Sequence, residues 1–180
     1  HAGIGILNMR VGASILVLLV SLLGGCEAGH MTAKEVHYFT GLRPNPSGES
    51  GLIQGPTAKV YFSNSGESGY ADVFLRTFLR DGPDLHQLYV AFRDNNWVFF
   101  SNAYDQSGNE LGFIEIERKN ATPGIAEHFA AILSDNFLES AAETGLEVKF
   151  SGKEGKRTVY LRARYVRGYL QKYRELSSGE

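Results

Sequence analysis

Three strand-like segments separated by short polar connectors constrain the fold more than any other feature of the sequence. Residues 87–93, 97–104 and 111–118 are rich in aromatic and aliphatic side chains, which favour extended backbone. The connectors, 94–96 and 105–109, hold Asp, Asn, Gly and Ser, the residues that favour turns. Connectors this short join antiparallel neighbours, because a parallel pair needs a crossover of about a dozen residues or more. The pattern therefore predicts an antiparallel meander.

Residues 73–80, just before the meander, fit two kinds of secondary structure. Their side chains alternate as those of a strand would, but the apolar ones also recur at helical spacing. We favour a strand, because three clear strands follow at once.

The segment 122–145 also leaves two interpretations open. It begins with Thr-Pro, continues with apolar residues at helical spacing and ends in glycine, which together predict one helix. Alternatively, a short strand over Glu127–Leu133 precedes a new helix that Ser134 or Asp135 caps.

The remaining elements complete an α+β pattern. Further strands are predicted at 60–62, 146–151 and 157–162, and a final helix carries Val166, Tyr169, Leu170 and Tyr173 on one face. A chain of 180 residues, 43% of them hydrophobic, can bury a core without disulfide or metal crosslinks. We expect a single α+β domain, a mostly antiparallel meander sheet with two or three helices packed on it.

A thirteen-residue apolar run, Val11–Leu23, precedes this domain. It is shorter than the roughly 20 apolar residues of a membrane-spanning helix, but it has the length of the apolar core of a secretory signal. Arg10 supplies the positive charge before it, and Met9 lies where translation is expected to start. Residues 1–8 are then upstream sequence.

The residues that follow, Leu23-Gly24-Gly25-Cys26, resemble the lipobox of bacterial lipoproteins. The resemblance implies that residues 1–25 are removed and that Cys26 becomes the lipidated first residue. Since residue 27 is glutamate rather than the aspartate associated with inner-membrane retention, it also implies attachment to the outer membrane, facing the periplasm. Cys26 is the only cysteine, so the sequence predicts a domain without disulfides or thiol chemistry.

Residues 26–57 are expected to form a tether or an arm. Glycine and proline are concentrated in the second half of this segment, and its one apolar patch is His37-Tyr38-Phe39, which could pack on the domain. The periplasmic α+β domain is predicted to cover 58–180.

The sequence contains no recognisable catalytic, metal or cofactor motif. Its histidines lack the paired spacing of metal ligands, and the oxygen-rich stretch 105–110 is better explained as a hairpin turn than as a calcium loop. Neither Ser50 nor Ser68 lies in the G-x-S-x-G context of a nucleophilic serine. Glu115 and Glu117 are expected on one face of a strand, as its solvated side. We expect no metal, no cofactor and no enzyme activity.

The distribution of charge limits the choice of partners. A net charge of −2 is not that of a nucleic-acid binder. Residues 151–180 nevertheless carry a net charge of +5, against −8 for 27–150. This basic end could contact anionic lipid or an acidic partner, although a solvated face explains it as simply.

Aromatic side chains on the meander are the best candidates for a binding surface. Tyr89, Trp97 and Phe99 are the residues selected, with Trp97 and Phe99 expected on one face of their strand and Phe100 and Tyr104 on the other. The simpler explanation is that a covered central strand buries both faces.

Residues 85–175 resemble an uncharacterised family of small bacterial envelope lipoproteins. The resemblance is carried by the lipobox, by the aromatic segment 97–105 and by the ending 165–170, Tyr-Val-Arg-Gly-Tyr-Leu. That family has no assigned reaction, so the resemblance implies location and fold class only. We expect a lipid-anchored, non-enzymatic interaction module, with another envelope protein as a possible partner. A binder of a small amphiphile or envelope glycan is the alternative, and a hydrolase is the last choice.

Overall fold

The computed structural model describes residues 30–44, 51–64 and 67–178. The predicted signal segment and Cys26, the predicted lipidation site, lie outside these residues. In chain order the elements are α1 (Ala33–Phe39), β1 (Gly41–Arg43), β2 (Leu52–Gln54), β3 (Ala58–Asn64), β4 (Glu67–Phe78), β5 (Leu85–Asp94), β6 (Phe100–Asp105), β7 (Glu110–Leu111), β8 (Phe113–Asn120), β9 (Ile125–Leu133), α2 (Asp135–Thr144), β10 (Leu146–Gly152), β11 (Gly155–Leu161) and α3 (Ala163–Ser177).

The strands form two antiparallel sheets. The larger, seven-stranded sheet has the order β1-β2-β4-β5-β9-β8, with β3 also paired to β4. The smaller, four-stranded sheet has the order β11-β10-β6-β7. The prediction of a mostly antiparallel sheet with two or three helices is confirmed, and the α+β label fits only in part, because strands far outweigh helices.

The core lies between the two sheets. Alternate residues of β4, β5 and β9 point inward, where Val90, Phe92 and Phe129 are buried. The smaller sheet contributes Phe100 and Phe150, whose rings lie 4.6 and 4.8 Å from the ring of Phe129. Contacts of this kind add stabilisation beyond the area that the rings bury.

Helix α3 packs on the same side, with Tyr165 and Tyr169 buried. Gly168 lets α1 approach, because a Cβ atom there would lie 2.9 Å from the Cβ atom of Val36. The described part of the segment predicted as a tether or arm is therefore structured: α1 packs on α3, and β2 pairs with β4.

The strand prediction for 73–80 is confirmed over the residues that belong to β4, which ends at Phe78. The predicted meander is wrong, because β5 pairs with β4 and β9 while β6 pairs with β10 and β7. Short connectors permitted a hairpin between β5 and β6. Instead, the chain crosses to the other sheet, where Phe100 and Ala103 complete the core.

The single helix predicted over 122–145 is also wrong, and the alternative is correct. Residues 125–133 form β9, and α2 begins after Ser134, whose hydroxyl accepts a hydrogen bond from the N–H of Phe137. Hydrogen bonds to β5 and β8 satisfy the backbone N–H and C=O groups of 125–133. These bonds outweigh the preference for helix that the apolar spacing of the segment indicates. The predicted helix stop is correct, because α2 ends at Gly145 with φ of 97°.

Candidate functional site

The open face of the smaller sheet forms a groove of about 380 Å³. The turn at 105–108 closes one end of the groove. The strands line the rest of it with Tyr104 from β6, with Glu147, Lys149 and Ser151 from β10, and with Lys156 from β11. We call this the small-sheet groove. Its volume lies within the range of small-molecule and cofactor sites.

Strand alternation places the polar side chains in the groove. Along β10 the residues alternate, so that Val148 and Phe150 enter the core while Lys149 and Ser151 face outward. Pairing then sets Tyr104 beside Lys149 and Lys156 beside Ser151. The floor is therefore rigid, because each of its residues belongs to a paired strand.

The turn at the end of the groove is held by its first residue. The carboxylate of Asp105 accepts hydrogen bonds from the backbone N–H groups of Ser107 and Asn109 and from the amide of Asn109, each at 2.8 Å. The side-chain hydrogen bond from Asn109 is the main cause that lowers the pKa of Asp105. Gly108 adopts φ of 87°, which favours glycine. The predicted hairpin turn, which joins β6 to β7, is confirmed.

Two lysines and two acidic residues line the groove. Within the part of the chain that the structure describes, neither Lys149 nor Lys156 has an ion-pair partner. Of the two acids that line the groove, Asp105 accepts hydrogen bonds within the turn, and Glu147 is the one without such bonds to the turn. Two ammonium groups, a phenol and two serine hydroxyls are thus available to a polar ligand.

The sequence did not single out these residues. The apolar–polar alternation of 146–151 could have shown that Lys149 and Ser151 share a face. It could not have shown that Tyr104 lies on the strand beside Lys149, because these two residues are 45 positions apart in the chain, whereas Lys156 follows β10 across a short turn.

The three aromatic residues predicted as a binding surface have different neighbours. Tyr89 lies on the face of the larger sheet that points away from the core, where its ring stacks on Phe74 at 4.6 Å. Its hydroxyl lies 2.7 Å from Nδ1 of His128, and burial raises the pKa of Tyr89. Trp97 and Phe99 instead stack on each other at 5.8 Å, between β5 and β6. No ring contact joins Tyr89 to either of them within the described residues, so their role in binding stays a prediction.

A register shift also corrects the predicted faces of the Trp97–Tyr104 segment. In the pairing of β6 with β10, Phe100 lies opposite Gly152 and Asn102 lies opposite Ser151. Ser101, between them, is therefore an extra residue without a partner on β10. Phe100 is consequently buried in the core, whereas Tyr104 faces the small-sheet groove.

A buried carboxylate fixes the crossing between the two sheets. Glu127 Oε1 accepts hydrogen bonds from the backbone N–H groups of Val98 at 2.7 Å and Phe99 at 3.0 Å. Glu127 Oε2 accepts from the N–H of Phe100 at 3.1 Å and from Nε of Arg118 at 3.3 Å. A carboxylate that is 1% exposed needs such donors to offset the cost of its burial. This Glu127 clamp is structural, since all its contacts are to the fold itself.

The clamp holds Phe99 in an uncommon conformation. Phe99 has φ of 56°, a region that costs a non-glycine residue of the order of 1–3 kcal/mol. The guanidinium of Arg118 lies 5.8 Å from the centre of its ring. The loop is therefore held by hydrogen bonds and ring contacts together, and the ring of Phe99 stays 39% exposed.

One chain of side chains has the order of a hydrolase triad. Asp135 Oδ1 lies 2.7 Å from Nε2 of His86, and His86 Nδ1 lies 2.7 Å from the hydroxyl of Thr77. In a triad the acid orients the histidine, which takes the proton of the nucleophile. Here Thr77 is fully buried, and its hydroxyl also lies 2.6 Å from that of Tyr169. No substrate can reach the hydroxyl oxygen of Thr77 in this conformation. The contacts of this chain instead link β4 and β5 to α2 and α3.

The expected pair of carboxylates on β8 is not formed. The register shifts between Glu115 and Glu117, so they lie opposite consecutive residues of β9 and therefore on opposite faces. Glu115 pairs with Arg118 at 2.9 Å, and Glu117 pairs with Lys119 at 2.6 Å. The bulge at Ile116, which the residue types did not indicate, separates the two carboxylates.

Within 30–44, 51–64 and 67–178, no three His, Cys, Asp or Glu side chains are grouped so that they could hold a metal ion. In the same ranges, no helix has the length and apolar character needed to cross a bilayer.

No protein-family model, curated protein or solved structure matches the chain.

Proposed function

We propose that this protein is a lipid-anchored lipoprotein of the bacterial envelope whose folded domain is a non-enzymatic interaction module. The lipobox at 23–26 supports the anchor on Cys26, and Glu27 supports the outer membrane, facing the periplasm. Attachment to a membrane raises the local concentration of the module, so that a weak binding site can be effective.

The small-sheet groove is the observation that carries the proposal of binding. It offers Lys149 and Lys156 without ion-pair partners in the described residues, beside the phenol of Tyr104. Amphiphiles need an apolar pocket, whereas this groove is lined by polar side chains. Its chemistry favours an envelope glycan that carries carboxylate or phosphate groups, which bind ammonium and hydroxyl donors and place a sugar ring against Tyr104.

A non-enzymatic role is supported by the use of the buried polar groups. Glu127 is engaged by backbone donors and by Arg118, and the hydroxyl of Thr77 is enclosed between His86 and Tyr169. A general acid or base must reach the reacting group, and both groups face inward.

The test of the glycan proposal is co-sedimentation of the purified lipidated protein with isolated peptidoglycan sacculi. The double variant Lys149→Gln/Lys156→Gln should weaken binding about tenfold, since two partly exposed charge contacts contribute about 1–2 kcal/mol together. The control is Lys59→Gln/Lys119→Gln, which removes the same charge from two exposed ion pairs of the larger sheet and should leave binding unchanged. Equal losses in both double variants, or no binding by the parent protein, would overturn the glycan as ligand.

Crosslinking in cells tests the interaction module itself. A photoreactive amino acid replaces Tyr104 in the groove or, as the control, Tyr61, which is exposed on the larger sheet. Products found at position 104 alone support the module, and a single envelope protein among them would identify a protein ligand in place of the glycan. Products that are the same at both positions would contradict a binding role for the groove.

A further inference from the structure

Three apolar side chains are exposed within five residues at the start of the folded domain. Tyr38 is 79% exposed, Phe39 51% and Leu42 56%. The rings of Tyr38 and Phe39 contact each other edge to face at 5.1 Å. We call these three residues the α1–β1 patch. Tyr38 and Phe39 touch each other, and Leu42 follows three residues later in the chain. Single exposed apolar residues are ordinary on protein surfaces, but several close together usually mark a contact site.

The patch is held outward by a fixed frame. Thr32 and Glu35 form a capping box at the start of α1, while Val36 is fully buried against α3. At the other end, the hydroxyl of Thr40 donates a hydrogen bond of 2.7 Å to the carbonyl oxygen of Val36. His37 joins α1 to α3 through Glu175 at 2.7 Å. The helix therefore cannot turn Tyr38 and Phe39 into the core without losing Val36 from it.

The length of chain between the patch and Cys26 limits what can cover it. From Cys26 to the start of α1 at Ala33 there are seven residues, which span at most about 25 Å when fully extended. Helix α1, with seven residues, adds about 10 Å. If Cys26 carries the lipid, its backbone lies at the surface of the bilayer, and Tyr38 and Phe39 are kept within about 35 Å of that surface.

The composition of the patch suits the headgroup region. Tyrosine is enriched at membrane–water interfaces, where its ring is apolar and its hydroxyl stays hydrated. The exposed cations Lys34 and Arg43 flank these residues in the sequence, and cations are attracted to anionic lipid headgroups. The one nearby acid of α1, Glu35, is used by the capping box.

From these observations we infer that the α1–β1 patch docks into the headgroup region of the leaflet that holds the Cys26 lipid. Docking would orient the folded domain at the membrane instead of leaving it free on its lipid. The inference rests on the proposed lipidation, and its test separates the two.

The experiment places an environment-sensitive fluorophore on the lipidated protein in vesicles of phosphatidylethanolamine and phosphatidylglycerol. Since Cys26 is the only cysteine and its thiol is modified, Leu42→Cys introduces a single reactive thiol. Tyr38→Cys is a second, independent position in the patch. The control is Tyr160→Cys, 50% exposed on β11 of the smaller sheet.

Labels at 42 and 38 should show blue-shifted emission that brominated lipids quench, while the label at 160 shows neither. Emission at 42 and 38 equal to that at 160 would overturn the docking, and so would a blue shift without quenching by brominated lipid, which would indicate a second copy of the chain or another protein segment. Mass spectrometry of the N-terminal peptide decides the lipidation separately. An unmodified Cys26 would refute the anchor, whereas a lipidated Cys26 with solvated labels at 42 and 38 would refute the docking alone.

Discussion

Replacing Glu127 by glutamine tests whether the buried carboxylate holds the two sheets together. The amide of the substituted side chain can keep the oxygen that accepts from Val98 and Phe99, but it puts an NH₂ group where Oε2 accepts from Phe100 and Arg118. Donors then face donors. The substitution is nearly isosteric, so it creates no cavity and isolates the hydrogen-bonding contribution.

The expected loss follows from the groups left without an acceptor. The N–H of Phe100 is buried, and an unsatisfied buried donor costs about 1–3 kcal/mol. Arg118 keeps the carbonyl oxygen of Phe100 at 2.7 Å and Glu115 at 2.9 Å, so its loss is partial. We expect Glu127→Gln to lower the free energy of unfolding by about 2–4 kcal/mol, a large share of the roughly 5–15 kcal/mol typical of a domain.

The control uses the same guanidinium. Glu115 is half exposed and pairs with Arg118, so Glu115→Gln removes an equal charge from a solvated ion pair and should cost less than about 1 kcal/mol. Urea unfolding followed by Trp97 fluorescence measures both variants, because Trp97 is the only tryptophan and lies beside the clamp. If the two variants lose the same stability, the reasoning that assigns the clamp to Glu127 is refuted.

The remaining predictions concern packing, a buried hydroxyl and pH. Gly168→Ala should cost about 1–3 kcal/mol, because the new methyl group meets α1, whereas Gly82→Ala, with open space around it, should change the unfolding temperature little. Thr77→Val should lower the free energy of unfolding, measured in urea, by about 2–4 kcal/mol, because His86 and Tyr169 lose the buried hydroxyl that contacts both. A loss below about 1 kcal/mol would contradict this, because it would mean that both side chains have another hydrogen-bond partner. In the folded protein, burial lowers the pKa of His128 from its ordinary value of 6.5. As the pH falls below 6.5, the unfolded chain therefore binds a proton at His128 before the folded protein does, and the free energy of unfolding decreases. His128→Asn should therefore flatten the decline in the free energy of unfolding between about pH 7 and about pH 5.5, and an unchanged slope would contradict the shift.

Much of the secondary structure could be predicted because its causes are local. The alternation of 73–80, the turn that Asp105 caps and the stop at Gly145 each depend on residues close in sequence. The segment 122–145 shows the limit of such reasoning. Its helical spacing is real, but β5 and β8 supply backbone partners along the whole of β9, and these non-local hydrogen bonds outweigh a propensity difference of about a few tenths of a kcal/mol per residue.

By itself, the sequence determined that Cys26 is the only cysteine, and it determined the positions of most strands and of the last helix, because these depend on composition or on neighbouring residues. Only the tertiary structure decided that β6 leaves the larger sheet, that Glu127 binds the crossing, and that Tyr104, Lys149 and Lys156 share one groove. The physical reason is that strand pairing has little preference for its partner until a core selects it. Here β6 pairs with β10 because this pairing buries Phe100 and Phe150 against Phe129. The same pairing makes residues that are far apart in the chain neighbours on the outer face of the smaller sheet.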